Sequence, residues 1–178
     1  MTLESKANDL VTTAKSKLNT KQIRLLEQWL NSWNFYLARE ATFQPHRNKK
    51  YNPGDIVTVC FGYNVGSEQG GNRPAVVIED NNLSDKTVMV VPLASIHPGT
   101  EEIQRTNNVY LGELTDFNTA AQKEPGTETK VLINQMRAVS KQRIIKPTKN
   151  KEQTINIGNN NLKNIYSKIN ELYTSKYI

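Results

Sequence analysis

The chain has 178 residues, 23 of them Lys or Arg against 17 Asp or Glu, for a net charge of +6. Hydrophobic residues make up 37%, lean but sufficient for a barrel-sized core, and no apolar run approaches the roughly 20 residues that cross a bilayer. The single cysteine, Cys60, excludes an internal disulfide and a cysteine-built metal site, and Met1–Asp9 lacks the apolar core of a signal peptide. A cytoplasmic protein without a metal or other cofactor is the expectation.

Residues 1–50 hold nine basic and four acidic side chains, residues 51–150 ten and eleven, and residues 151–178 four and two. The positive excess therefore lies mainly in the N-terminal segment, and a further basic cluster runs through Lys141, Arg143, Lys146, Lys149 and Lys151. Such charge suits nucleic acid or an acidic protein, and it equally describes a solvated face.

The first segment reads as two helices. Leu3, Leu10, Ala14 and Leu18 recur at near-helical spacing beside Val11, and no Gly or Pro precedes Pro45. Asn19 and Gln22 have the spacing of a reciprocal cap that opens a second helix. Along it Ile23, Leu26, Leu30, Trp33 and Leu37 form an apolar stripe, widened by Trp29 and Tyr36. That stripe requires cover from the chain's own barrel, a second copy or another protein, and the barrel is the expectation because it needs no further molecule.

Pro45–Lys50 has the composition of a linker, and beyond it the periodicity changes. Strands are expected over Asp55–Phe61, Pro74–Ile78, Lys86–Leu93, Val109–Leu111 and Val131–Val139, with a last edge beginning at Ile144. Turn residues separate them at Gly66–Gly71, Asp80–Asn82, Pro98-Gly99 and Pro125-Gly126, a rhythm that argues for a small, strongly bent sheet or barrel. A final helix, capped from the Asn159–Asn161 run, places Leu162, Ile165, Ile169 and Leu172 on one face beside Tyr166 and Tyr173. The division expected is residues 1–50 as helical extension and linker, and residues 51–178 as the functional domain.

Tyr51-Asn52-Pro53-Gly54-Asp55-Ile56-Val57, then Gly66-Ser67-Glu68-Gln69-Gly70-Gly71-Asn72-Arg73-Pro74 leading into Ala75-Val76-Val77-Ile78, resembles the opening of the PemK/MazF toxin family. Val90-Val91-Pro92-Leu93 is similar to the family's third strand. Val131–Val139 followed by Lys141-Gln142-Arg143-Ile144 is similar to its Gln-centred strand and basic turn. The resemblance implies an α+β fold: a small SH3-like barrel of the PemK/MazF/CcdB type with a C-terminal helix, here carrying an N-terminal helical hairpin. It also implies a metal-independent, sequence-selective endoribonuclease of single-stranded RNA, commonly a homodimer, restrained by an antitoxin with an acidic tail.

The residues agree with that chemistry. Clustered glycines let backbone N–H groups approach an anion, and Pro74 pushes Arg73 into extended geometry from which a guanidinium can grip phosphate. Arg73 is thus the expected catalytic group, acting on transition-state charge because a guanidinium is a poor base. Its structural alternative is a salt bridge to Glu68 or Asp55. The hydroxyl that the resemblance implies after the third strand falls on Ala94, so Ser95 is the expected catalytic replacement if a bulge or strand end turns it inward. His97, two residues on, offers a neutral-range titrating group or is simply a turn residue. Glu68, Gln69, Gly70 and Gln135 are candidate substrate contacts or loop-ordering groups, and Tyr63 a candidate base-stacking platform. The alternative function is a non-catalytic RNA- or protein-binding module on the same barrel.

Overall fold

The longest strand occupies residues 87–96, where β-branched and apolar residues run almost without interruption, and the other strands are arranged along it. The computed structural model describes residues 2–99, 105–148 and 152–175. In chain order the elements are α1 (Leu3–Lys17), α2 (Thr20–Arg39), β1 (Ile56–Cys60), β2 (Asn72–Val77), β3 (Thr87–Ile96) and β4 (Asn108–Glu113). They continue with α3 (Thr115–Ala120), β5 (Glu128–Leu132), β6 (Arg137–Ser140), β7 (Ile144–Lys146) and α4 (Asn159–Tyr173).

One edge of β3 pairs with β2 through Val77–Val90 to Ala75–Pro92. The other edge is shared: β6 takes Thr87–Val90 and β5 takes Leu93–Ile96, both antiparallel. The expected single strand Val131–Val139 is therefore two, broken by a single 3-10 turn over Ile133–Gln135. The break falls where the second edge of β3 passes from β6 to β5, between Val90 and Leu93. Because β1 pairs with both β2 and β7, the order β7-β1-β2-β3-β6 wraps into a five-stranded SH3-like barrel, its end strands β6 and β7 joined by a one-turn helix at Lys141–Arg143. β4 and β5 extend the second half of β3.

Strand alternation sorts the apolar residues into two cores. Val57, Val59, Phe61, Ala75, Val77, Val88, Val90 and Val139 fill the barrel interior with Tyr51 and Ile144. Ile56, Val76, Ile78, Val91, Leu93, Val109 and Val131 face the other way, onto Ile165 of α4 and its partly buried neighbours Leu162, Ile169 and Leu172. Tyr166 fastens that helix by donating to Ile78 O at 2.7 Å. The cap differs from the sequence expectation: Gly158, at φ +80°, precedes the helix and Asn159 is already its first residue. Only glycine holds that backbone cheaply, so the asparagine run lies one position too late to cap.

Asn19 and Gln22 form the expected reciprocal cap of α2. The apolar stripe above them is only partly covered. Ile23, Leu26, Trp29 and Tyr36 are half-buried, whereas Leu30, Trp33 and Leu37 remain 36%, 48% and 55% exposed. Trp29 and Tyr36, seven residues apart and so on one line of the helix, take the barrel contact and leave the neighbouring line outward. In α1 only Ala14 is buried. The Pro45–Lys50 segment is tied down: Asn48 Nδ2 donates to Lys141 O at 3.2 Å and Lys49 N–H to Thr148 O at 2.9 Å.

The expected basic cluster is not a continuous solvated face. Lys141 is fully buried, its ammonium donating to Asn82 O at 2.7 Å, and burial lowers its pKa against the pull of Asp85 and Glu79. Arg143 donates to Cys60 O at 2.7 Å, and Lys149 and Lys151 lie outside the described residues. Among the described residues no helix is long and apolar enough to cross a membrane.

Tyr51 closes the barrel base, fully buried, with its hydroxyl donating to Pro147 O at 2.8 Å. Burial, then the Glu152 and Asp55 carboxylates, raise its pKa above the ordinary value. A phenol that ionises at higher pH in the folded state adds stability that is complete below its unfolded pKa of about 10 and is lost as pH rises beyond it. Tyr51→Phe is expected to lower stability by about 1–2 kcal/mol at pH 7 and to flatten the alkaline loss. Denaturant melts between pH 7 and 11 check both effects.

Candidate functional site at the barrel mouth

The connection from β1 to β2 is a glycine-rich loop that closes on itself. Phe61 N–H donates to Gly71 O at 2.8 Å and Gly71 N–H to Gly62 O at 2.7 Å, so the loop leaves and re-enters through one latch. Gly70 is required by space: a Cβ there would meet Gly62 O at 2.8 Å. Asn64 Nδ2 bridges the inside, donating to Phe61 O at 3.2 Å and Gln69 O at 2.5 Å.

The far side of the loop is held from the turn between β5 and β6. Gln135 Oε1 accepts from Gln69 N–H at 3.0 Å, and its amide nitrogen reaches Ser67 O at 3.5 Å. Arg137 Nη2 donates to Gln69 O at 2.6 Å while its guanidinium lies 4.9 Å from the Phe61 ring centroid. Burial is the main cause that lowers the Arg137 pKa, followed by the neighbouring Arg143 cation, with Glu68 opposing. A half-buried guanidinium beside a second cation makes this mouth favourable for an anion.

Arg73 leaves the loop exposed, and its Nε donates to Gly70 O at 2.8 Å. The alternative for Arg73, a salt bridge to Glu68 or Asp55, is not formed. Asp55 is buried and instead accepts from Asn52 N–H and Asn156 Nδ2. The Nη atoms of Arg73 take no protein partner among the described residues, so the side chain is oriented at Nε while its fork stays available.

Arg73, Glu68, Gln69, Gly70 and Gln135 are thus brought together at one mouth. Glu68 is exposed, Tyr63 is half-buried near the loop root, and the buried Gln69 Oε1 has no hydrogen-bond partner among the described residues. Ser95 is not brought to them. Along β3, Val88 and Val90 face the barrel interior while Val91 and Leu93 face α4. Strand alternation then puts Ala94 on the interior side and Ser95 on the α4 side, opposite Thr129 of β5. Arg73 shares the side of Ala75 and Val77. No bulge interrupts β3 at this point, so the inward turn expected of Ser95 does not occur. His97 is exposed just beyond the end of β3.

The face that Ser95 leaves carries groups the sequence reading did not single out. Ala94 pairs directly with Lys130, and Lys130 with Tyr110, giving an in-register row across β3, β5 and β4. Lys130 and Tyr110 are half-buried, and the Tyr110 hydroxyl accepts from Arg105 N–H at 3.2 Å. The β2–β3 ladder stops at Ala75–Pro92, and its next position on the same face would set Arg73 across from Ala94. Lys130 was invisible in sequence because its relevance depends on cross-strand register. Arg137 stood inside a quoted motif and needed only the alternation from Val139 to show its direction. Among the described residues no group of three or more His, Cys, Asp or Glu is placed to hold a metal ion.

A family model described as the PemK-like, MazF-like toxin of type II toxin–antitoxin systems matches residues 52–173. A solved endoribonuclease in complex with its cognate antitoxin, from a Mycobacterial species, is similar at 14% identity and a TM-score of 0.43, covering 68% of this chain and 92% of that one. MazF (form I) from Deinococcus radiodurans is similar at 19% identity and a TM-score of 0.45, covering 70% and 96%. A comparison with curated proteins finds no match.

The loop geometry separates two glycine substitutions. Gly66, at φ +61°, has open space around a would-be Cβ, so Gly66→Ala should cost only the left-handed backbone penalty of about 1–2 kcal/mol. Gly70→Ala must displace the Gly62 carbonyl and break the latch. Amide exchange at Gly71 is expected to accelerate far more in Gly70→Ala than in Gly66→Ala; equal rates would contradict the latch.

Proposed function

Because the chain belongs to the PemK-like, MazF-like toxin family of type II toxin–antitoxin systems, we propose that it is a metal-independent, sequence-selective endoribonuclease that cuts single-stranded RNA at the loop mouth. The observation that carries this reading is Arg73, oriented through Nε by Gly70 O and presenting its free fork beside Arg137.

The reaction is transesterification. The 2′-oxygen of a ribose attacks the adjacent phosphorus, a phosphorane forms, and the 5′-oxygen departs with a proton, leaving a 2′,3′-cyclic phosphate and a 5′-hydroxyl. Arg73 supports the equatorial oxygens of the phosphorane, where a fixed cation contributes most. Lys130, across the small Ala94, supplies a second cation to the same phosphate and a proton to the departing oxygen. Glu68 and Gln69 meet base edges, and Tyr63 stacks on an unpaired base. Solvent takes the 2′-hydroxyl proton in place of a serine or threonine. An acidic antitoxin segment would neutralise the same cations, and a homodimer is the proposed assembly.

A second reading is favoured by one observation, that Ala94 and not a serine or threonine stands at its place in β3 on the Arg73 face: a module that binds RNA or protein without cutting. The test is incubation of purified protein with a long RNA in EDTA, with mapping of the ends. Cyclic-phosphate and 5′-hydroxyl ends are expected. Arg73→Ala should lower the rate by about 10²–10³-fold, the usual loss when one preorganised charge-stabilising group is removed. Lys130→Ala should lower it by about tenfold and Ser95→Ala by less than about twofold. Cleavage that needs added divalent metal, or 5′-phosphate ends, would overturn the nuclease mechanism, and RNA binding with no cleavage would establish the second reading.

A further inference from the structure

Helix α2 meets the site loop at its latch. The Trp29 indole lies flat against Gly62: a Cβ on that glycine, at φ +86°, would stand 3.0–3.1 Å from the ring carbons. Gly62 is also the residue whose carbonyl receives the Gly71 N–H and packs against Gly70. One residue therefore serves as seat for the helix and as keeper of the loop.

Two more contacts fix the same place. The Arg143 guanidinium sits 5.1 Å from the Trp29 ring centroid while its Nε holds Cys60 O. Tyr36, two turns further along the same line of the helix, meets Cys60, and burial followed by its hydrogen bond with the Cys60 thiol raises its pKa. Trp33 stacks on Trp29 at 6.1 Å with the rings 3° from parallel, which restricts the indole's own rotation. Residues 60–62 are gripped by the helix and by the turn before β7. From there the connections run through Gly62 to Gly70 and Gly71, and through Gly70 O to Arg73 Nε. The helix itself lies outside residues 52–173, the part matched by the family model.

We infer that α2 is the positioning element of the site loop: Trp29 seated on Gly62 locks the loop root and so sets where the Arg73 guanidinium stands. Trp29 is a positioning residue, acting through Gly62 and Gly70. The consequence for cleavage rests on the nuclease reading above; the lock itself does not.

The test uses the full chain with Trp29→Ala, Trp29→Phe and Leu30→Ala, the last on the exposed line of the same helix. Amides of Gln69 and Gly71 should exchange at least about tenfold faster in Trp29→Ala, with Val91 and Val131 unchanged. In cleavage, kcat should fall about tenfold while KM stays within about twofold, because the loss is of geometry at the reacting phosphate. Trp29→Phe, which keeps a ring on Gly62, should recover most of both, and Leu30→Ala should match the parent. Exchange that rises uniformly across the barrel would make Trp29 an ordinary packing residue and overturn the proposal, as would unchanged exchange in the loop. A loosened loop with unchanged kcat would overturn its positioning role. A parent that cleaves no RNA would fail the nuclease reading alone, and loop-selective exchange would still support the lock.

Discussion

The two hydrogen bonds between Phe61, Gly62 and Gly71 convert the eleven-residue connection 61–71 into a closed loop, and the candidate site depends on that closure. Without it the chain between β1 and β2 would spend its entropy freely, and no cation on it would have a fixed address. With it, Gly70 O is fixed relative to the barrel and orients Arg73 through Nε. The latch is possible because Gly62, Gly66 and Gly71 adopt positive φ and Gly70 has no side chain to strike Gly62 O. Neighbouring elements then converge on it: Gln135 and Arg137 from the interruption between β5 and β6, and Trp29 from the N-terminal extension.

Strand β3 decides which chemistry the mouth can hold. Its alternation is enforced by two cores on opposite sides, so a one-residue displacement of function along it is not a small change. Valines at 88 and 90 commit the even positions to the interior, and Val91 with Leu93 commits the odd ones to α4. Moving Ser95 to the Arg73 side would expose Leu93 and bury polar groups on the apolar side. The lattice of packing therefore overrides a nearby hydroxyl. It also brings Lys130 into register with Ala94.

Much of this was legible from residues alone. The paired cap of α2, the strand at Asp55–Phe61, the glycine loop, Arg73 and the apolar face of the last helix all depend on local periodicity, which sequence displays directly. What was missed depends on distant partners. The break between β5 and β6 follows from their sharing one edge of β3, the burial of Lys141 from an Asn82 carbonyl 59 residues away, and the direction of Ser95 from cores built by other strands. The cover over α2 is only partly legible for a related reason. Periodicity identifies an apolar stripe, but only the shape of the barrel decides that Trp29 and Tyr36 dock while Trp33 and Leu37 stay in water.

In the proposed reading, RNA lies across the loop mouth, with a phosphate between Arg73 and the Lys130 row. Titration with a single-stranded RNA made uncleavable by 2′-O-methylation, followed by backbone amide shifts, tests it most directly. Shifts should concentrate at Gly66–Arg73, Ala94, Lys130 and Arg137 and weaken steeply with added salt. Shifts centred instead on α4 and the Ser95 side of the sheet, or an RNA that binds without disturbing Arg73, would contradict it.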